Sequence, residues 1–192
     1  MPERYAKRYL SELVKSINDI PLDKVREIAE VLKGAYNKGR HVFIMGNGGS
    51  AATASHFVCD LAKGTHVAGK KRYKVIGLTD NVPLLTAWSN DVAYKDVFKS
   101  QLENLLSPAD IVIVFTGSGN SLNVLEAAKY ARKVKAQVIA FTGFDGGKIR
   151  KLSDVCLVVP SNNMERVEDL HLVLQHLIKL YLWEEIREGR LS

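Results

Sequence analysis

Five short apolar runs, separated by helix-like segments, most constrain how this chain can fold. Each is rich in β-branched residues: HVFIM (41–45), YKVIGL (73–78), IVIVFT (111–116), QVIAFT (137–142) and VCLVV (155–159). Continuous rather than alternating apolar character is typical of parallel strands that are covered on both faces. Helical patterns lie at 50–63, 121–133 and 164–188. The alternation predicts an α/β fold, a doubly wound five-stranded parallel sheet with helices on both faces.

Two amphipathic helices are predicted before the first of these runs. Apolar residues at helical spacing occur over 9–17 and 22–35, with Pro21 as a start signal and NKGR (37–40) as a stop. A chain of 192 residues that is 46% hydrophobic can bury one core. We therefore expect a single domain over 1–192, in which helices at 1–40 pack at an oligomer interface and 41–192 form the α/β core with a C-terminal helix.

Charge and cysteine usage argue against several classes of protein. The 27 Lys and Arg exceed the 21 Asp and Glu, for a net charge of +6, but the basic residues are spread among acidic ones and the longest cluster is KKR (70–72). This favours a solvated surface, or a mild attraction for anionic substrates, over a nucleic-acid partner. Cys59 and Cys156 have apolar neighbours, as expected for reduced thiols. With neither an apolar stretch of ~18 residues nor a signal-peptide pattern, we expect no membrane partner and a cytoplasmic protein.

Two glycine- and hydroxyl-rich loops follow predicted strands and lead directly into helices. They are GNGGS (46–50) and TGSGNS (116–121). Amides at a helix N-terminus are unpaired and carry the positive end of the helix dipole, so a phosphate group can bind there. Ordinary caps and turns are the alternative, but two such loops at the carboxyl ends of strands favour phosphate binding. The loops have no Walker lysine, and Asp80 comes well beyond the ~20-residue spacing of a dinucleotide site.

Three motifs in this order and spacing, GNGGSAATASHF (46–57), TGSGNS (116–121) and FTGFDGGK (141–148), resemble the sugar isomerase (SIS) domain, and within it the phosphoheptose isomerases. The resemblance runs over about residues 7–184. It implies conversion of D-sedoheptulose 7-phosphate to D-glycero-D-manno-heptose 7-phosphate through an enediol, in a homotetramer whose active sites lie between subunits. The expected substrate- and phosphate-binding residues are Asn47, Gly48, Gly49, Ser50, Asn90, Asp91, Thr116, Gly117, Ser118, Asn120, Ser121 and Glu165.

Such a reaction needs a base, an acid and stabilisation of an oxyanion. On the helix after the first loop, helical spacing places His56 and Asp60 side by side, opposite a core stripe of Ala54, Phe57, Val58 and Leu61. A solvated polar face is the alternative. On the last helix, His176 lies opposite a predicted core stripe of Val167, Leu170, Leu174, Leu177, Ile178 and Tyr181.

The surroundings of His176 on this helix are also partly apolar. Its neighbours there are Leu172, Val173 and Leu180. A helix that is apolar on two sides is buried on two sides, which predicts a subunit interface. A buried structural histidine is the alternative for His176. His171 lies beside the core stripe, and we expect it to be structural.

The resemblance also implies a zinc ion held at the positions of His56, Asp60, Glu168 and His176, with Asp60 as the base and His176 as the acid. Phosphoheptose isomerases have glutamate where this chain has Asp60 and glutamine where it has Glu168, and Ser or Thr at the position of Gly117. The shorter Asp60 would place its carboxylate roughly 1.5 Å further back, a displacement that can cost ~10²-fold in rate. Glu168 and His176 lie ~12 Å apart along a helix, so they share an ion only if their side chains converge or come from different subunits.

These departures leave a second hypothesis open. It is a non-catalytic SIS protein that binds a phosphosugar or, like one relative, a replication-initiator partner. Members of that group lack the acid/base pair, which this chain retains in His56, Asp60 and His176.

Overall fold

A computed structural model describes residues 2–191, and its five strands form one parallel sheet. The strands are β1 (His41–Gly46), β2 (Lys74–Gly77), β3 (Ile111–Phe115), β4 (Gln137–Thr142) and β5 (Val155–Val158), in the order β2-β1-β3-β4-β5. Every neighbouring pair is parallel, and the register pairs Gly46 with Phe115, so that β1 and β3 end at the same level. The α/β fold predicted from the apolar runs is confirmed.

The described residues contain seven α-helices, which lie on both faces of this sheet. They are α1 (Glu3–Asn18), α2 (Leu22–Lys38), α3 (Gly49–Cys59), α4 (Val82–Asp91), α5 (Lys99–Leu105), α6 (Leu122–Val134) and α7 (Met164–Arg187). A π-helical turn, Asp60–Gly64, continues α3, and short 3₁₀ turns occupy Tyr94–Asp96 and Lys148–Lys151.

Successive strand residues point to opposite faces of the sheet, so the continuous apolar runs supply two separate cores. One core joins Ile44, Ile113 and Phe115 to buried residues of α2, α3 and α7. The other joins Met45, Val112 and Val114 to α5 and α6. The helices of both layers therefore position the loops at the carboxyl edge of the sheet.

No particular helix is predicted from the sequence for the segment between β2 and β3. It forms α4, the 3₁₀ turn and α5. Each residue of α4 is at least partly exposed, so this helix has no buried apolar stripe from which periodicity could have predicted it. Its start does carry a local signal, because the Asn81 side chain accepts a hydrogen bond from the amide of Leu84 and Pro83 lies in the first turn.

The predicted core stripe of α7 is wrong at two positions. Leu177 is 48% exposed and Tyr181 is 37% exposed, whereas Leu174, Ile178 and Leu182 are buried. The exposed pair lines a surface groove between α7 and α2, which leaves both side chains open to solvent. Among residues 2–191, no helix is both long and apolar enough to cross a bilayer.

Candidate active site

A cleft opens at the carboxyl ends of β1 and β3, where the chain connections diverge to opposite sides of the sheet. This is the place at which open α/β sheets bind ligands. It is lined by both glycine-rich loops and by α7, namely Asn47, Gly48, Gly49, Ser50, Phe115, Thr116, Gly117, Ser118, Ser121, Met164 and Glu168. The structure therefore brings together most of the residues expected at a phosphate site.

The second loop is held in shape by the third sequence motif. Gly119 has a φ of +67°, and a Cβ at this position would collide with the backbone of Gly146. The Gly119 carbonyl accepts a hydrogen bond from the amide of Ile149 at 3.0 Å. The Asn120 side chain bridges the same two loops, since its Oδ1 accepts from the Lys148 amide at 3.1 Å and its Nδ2 donates to the Ser118 carbonyl at 2.8 Å. Asn120 thus braces the loop.

The Asn47 side chain is bound by two residues that sequence reasoning missed. Asn47 and Asn123 exchange reciprocal amide hydrogen bonds of 2.9 and 2.8 Å, and Asn123 is 2% exposed. The Tyr94 hydroxyl donates to Oδ1 of Asn47 at 2.9 Å. These bonds fasten the first loop to α6 and to the 3₁₀ turn after α4. No pattern in the sequence indicated that Asn47 would pair with Asn123 and Tyr94.

Three other residues expected at the site are not among those that line the cleft. Asn90 and Asp91 are exposed at the end of α4, where the Asn90 amide donates to the Asp91 carboxylate at 2.8 Å. Glu165 is exposed in the first turn of α7.

His56, Asp60 and His176 meet where α3 and its π turn pack against α7. The two Nε2 atoms are 3.3 Å apart, and the rings contact edge to face. Asp60 Oδ1 lies 3.8 Å from Nε2 of His56, and Oδ2 lies 3.7 Å from Nε2 of His176. The histidine side chains are about 45% exposed, so a ligand can reach them.

This group fits a divalent metal ion. Asp60 Oδ2 is buried and has no hydrogen-bond partner among residues 2–191. One ligand atom from each of the three side chains lies within 4.8 Å of the others. Two imidazole nitrogens and a carboxylate are ligands that zinc accepts. The arrangement can therefore either bind a cation or serve as an acid/base pair.

Glu168, expected from the resemblance as a fourth ligand, lies elsewhere in this chain. Its carboxylate covers Gly49, so closely that a Cβ there would collide with it. Gly49 is the first residue of α3, where the positive end of the helix dipole favours an anion. Because Glu168 and His176 are eight positions apart on α7, about 12 Å along its axis, the Glu168 side chain of one chain does not join the histidines.

His171 is structural, as expected. It is fully buried beside Phe115 and Phe141, and its Nε2 lies 3.1 Å from the Thr142 carbonyl. Burial disfavours the imidazolium and lowers the pKa of His171 to about 4, against the opposing effect of the Thr142 hydrogen bond.

Comparison with known proteins decides the family. Residues 4–143 match the SIS domain. The chain belongs to the SIS domain family. A probable phosphoheptose isomerase of Thermoplasma acidophilum is 37% identical over 173 residues, covering 90% of this chain and 94% of that protein. The phosphoheptose isomerase of Aliarcobacter butzleri is 39% identical over 170 residues, covering 88% and 87%.

Solved structures share this SIS fold. The phosphoheptose isomerase of Neisseria gonorrhoeae superposes with a TM-score of 0.87 at 30% identity, covering 94% of this chain and 97% of that one. This SIS protein therefore spans nearly the whole length of its relatives, including the helices that carry His56, Asp60 and His176.

Proposed function

We propose that this protein is a phosphoheptose isomerase, which converts D-sedoheptulose 7-phosphate to D-glycero-D-manno-heptose 7-phosphate for heptose precursor synthesis. One observation carries the proposal. The helices that border the phosphate cleft, α3 with its π turn and α7, also bring the Asp60 carboxylate to 3.8 and 3.7 Å from two imidazole nitrogens. The relatives named phosphoheptose isomerase support the same assignment.

The phosphate group would bind at the second loop. The N-terminus of α6 offers unpaired amides, and the hydroxyls of Ser118 and Ser121 line the same cleft. From Gly49 to His56 the axis of α3 rises by about 10 Å. An extended seven-carbon sugar phosphate has a comparable length. Its carbonyl end can therefore reach the His/Asp group while its phosphate stays in the cleft.

Asp60 and His176 would move the protons. Asp60 removes the proton from the carbon next to the carbonyl, and the electron pair of that C–H bond forms the enediol double bond. His176 gives a proton to the carbonyl oxygen, which completes the enediol. Asp60 then returns its proton to the former carbonyl carbon, while the hydroxyl on the first carbon gives its proton back to His176 and becomes the new carbonyl. Asp60 is suited to this role because Oδ2 of its carboxylate is buried and has no hydrogen-bond partner among residues 2–191.

We propose Zn²⁺ as the cofactor, held by His56, Asp60 and His176. When bound, the ion would polarise the substrate oxygens and so stabilise the enediolate. Glu168, the fourth expected ligand, would have to come from a second copy of the chain, because this chain's own Glu168 carboxylate covers Gly49.

The test is an isomerisation assay on a panel of ketose phosphates, with and without added zinc. We expect D-sedoheptulose 7-phosphate to be the preferred substrate. His176→Gln and Asp60→Asn are both near-isosteric, and each should lower kcat by orders of magnitude with little change in Tm. Solvent deuterium should enter the substrate only with the wild type. Wild-type protein that binds this substrate without exchanging the proton, whatever divalent metal is supplied, would instead favour the non-catalytic hypothesis.

The protein is further proposed to be a cytoplasmic homotetramer. Apolar side chains are exposed on α7 and α1, among them Val173, Leu177 and Leu180 at 48–51% and Leu10 and Val14 at 55–58%. Such a surface is typical of an interface between subunits. Light scattering at micromolar concentration should give four times the chain mass, and a monomer would contradict this proposal.

A further inference from the structure

One cation beside the His/Asp group has no role in the reaction described so far. Lys179 lies on α7 three residues after His176, so both project from the same side of the helix. The side chain runs across Gly64, the last residue of the π turn that begins at Asp60. Lys179 forms none of the ion pairs found among residues 2–191, so its ammonium is available to a ligand.

Gly64 provides the space for this lysine. A Cβ at residue 64 would lie 2.6 Å from Cε of Lys179, so any other residue would push the side chain away. The backbone of Gly64 has an ordinary conformation rather than the positive φ that usually requires glycine. The absence of a side chain at Gly64 therefore leaves room for the Lys179 side chain.

The ammonium and the Asp60 carboxylate meet near the same point. Nζ of Lys179 and Oδ1 of Asp60 each lie 3.4 Å from that Cβ position, so these two atoms are separated by less than twice this distance. A substrate carbon that approaches Asp60 from the side of Gly64 would thus bring its oxygen towards the Lys179 ammonium.

We infer that Lys179 is a further residue of this reaction centre, which binds the anion that forms on the substrate oxygen when Asp60 takes up the proton. The inference rests on the proposed function. During this step a negative charge leaves Asp60 and appears on the substrate oxygen, while the proton passes from carbon to the carboxylate. A fixed ammonium stabilises that oxygen more in the transition state than in the neutral ground state. For an effective dielectric constant between that of a protein surface and that of water, a pair of opposite charges at about 4 Å would raise the rate of this step roughly 10- to 10³-fold.

The variants separate charge from packing. Lys179→Met removes the ammonium and keeps the chain length, whereas Lys179→Arg retains a cation. Gly64→Ala keeps the lysine but obstructs its path. Lys63→Met removes an exposed lysine from the same π turn and is the matched control.

The measurement is binding of two probes by calorimetry, together with steady-state kinetics. One probe is a six-carbon aldonohydroxamic acid 6-phosphate, whose hydroxamate nitrogen takes the place of C1 and which therefore mimics the seven-carbon enediolate anion. The other is a seven-carbon alditol 7-phosphate, which is neutral at that end. Lys179→Met should weaken hydroxamate binding at least tenfold and leave alditol phosphate binding within twofold. It should also lower kcat with KM nearly unchanged. Gly64→Ala should show a smaller loss of hydroxamate affinity and of kcat. Lys179→Arg should keep values close to those of the wild type, and Lys63→Met should change neither quantity.

Equal affinities of wild type and Lys179→Met for the hydroxamate would overturn the inference, as would an equal loss with Lys63→Met. Failure of the proposed function gives a different result, because wild-type protein would then isomerise no ketose phosphate and would bind the hydroxamate no more tightly than the alditol phosphate.

Discussion

Replacing His171 should remove a defined part of the acid sensitivity of this protein. The folded chain holds His171 neutral, because burial lowers its pKa to about 4, whereas an unfolded chain has the ordinary value of about 6.5. Between these two values the unfolded chain binds the proton and the folded chain does not. The stabilising contribution is therefore complete above pH 6.5 and is lost as the pH falls towards 4.

The two pKa values set the size of the effect. Their difference corresponds to about 3 kcal/mol in the free energy of unfolding, of which about 2 kcal/mol is lost by pH 5. His171→Gln cannot be protonated. It should be less stable than wild type at pH 7, because it disturbs the packing against Phe115 and Phe141 and the bond to Thr142. The difference between the two proteins should then shrink by about 2 kcal/mol by pH 5.

Urea unfolding followed by circular dichroism, at fixed protein concentration and several pH values from 7 to 4.5, measures this difference. Every other ionisable group is present in both proteins, so its effect cancels in the comparison. His66→Gln is the control, since His66 is exposed. If wild type and His171→Gln lose stability in parallel over this pH range, the reasoning about a buried neutral imidazole is refuted.

Three further predictions concern the cleft. Replacing both Ser118 and Ser121 by alanine should raise KM for the ketose phosphate at least about tenfold with little change in Tm, because each hydroxyl is a candidate donor to a charged phosphate group; an unchanged KM would exclude these serines from the phosphate site. Gly119→Ala should destabilise the fold by roughly 2 kcal/mol or more, because the φ of Gly119 is +67° and a Cβ there would collide with backbone atoms. Gly34→Ala in α2 should instead stabilise the fold by up to about 1 kcal/mol, because a Cβ at residue 34 meets open space. Urea unfolding of both variants checks the pair, and equal effects would contradict the steric argument. Glu168→Gln should tighten binding of inorganic phosphate several-fold, because it removes a negative charge from the cleft; calorimetry showing weaker binding would mean that the carboxylate does not oppose the anion.

Local patterns in the sequence determined the architecture of this protein. Each parallel strand has two buried faces, so its apolar run is continuous, and the long helices α6 and α7 have stripes at helical spacing. The i, i+4 spacing also predicted that His56 and Asp60 are neighbours, which the 3.8 Å separation confirms. The exposed helix α4 escaped prediction because it buries no stripe within the described chain.

Contacts between distant elements were decided by the tertiary structure alone. His176 reaches His56 across 120 residues, and Lys179 crosses Gly64, because α7 packs against the π turn. The same packing directs Glu168 to Gly49 instead of to the histidines. Periodicity specifies which face a side chain occupies, but not the angle or the axial offset at which two helices cross. A shift of one helical turn moves a side chain by 5.4 Å, more than the reach of any of these contacts, so only the packed fold determines which groups meet.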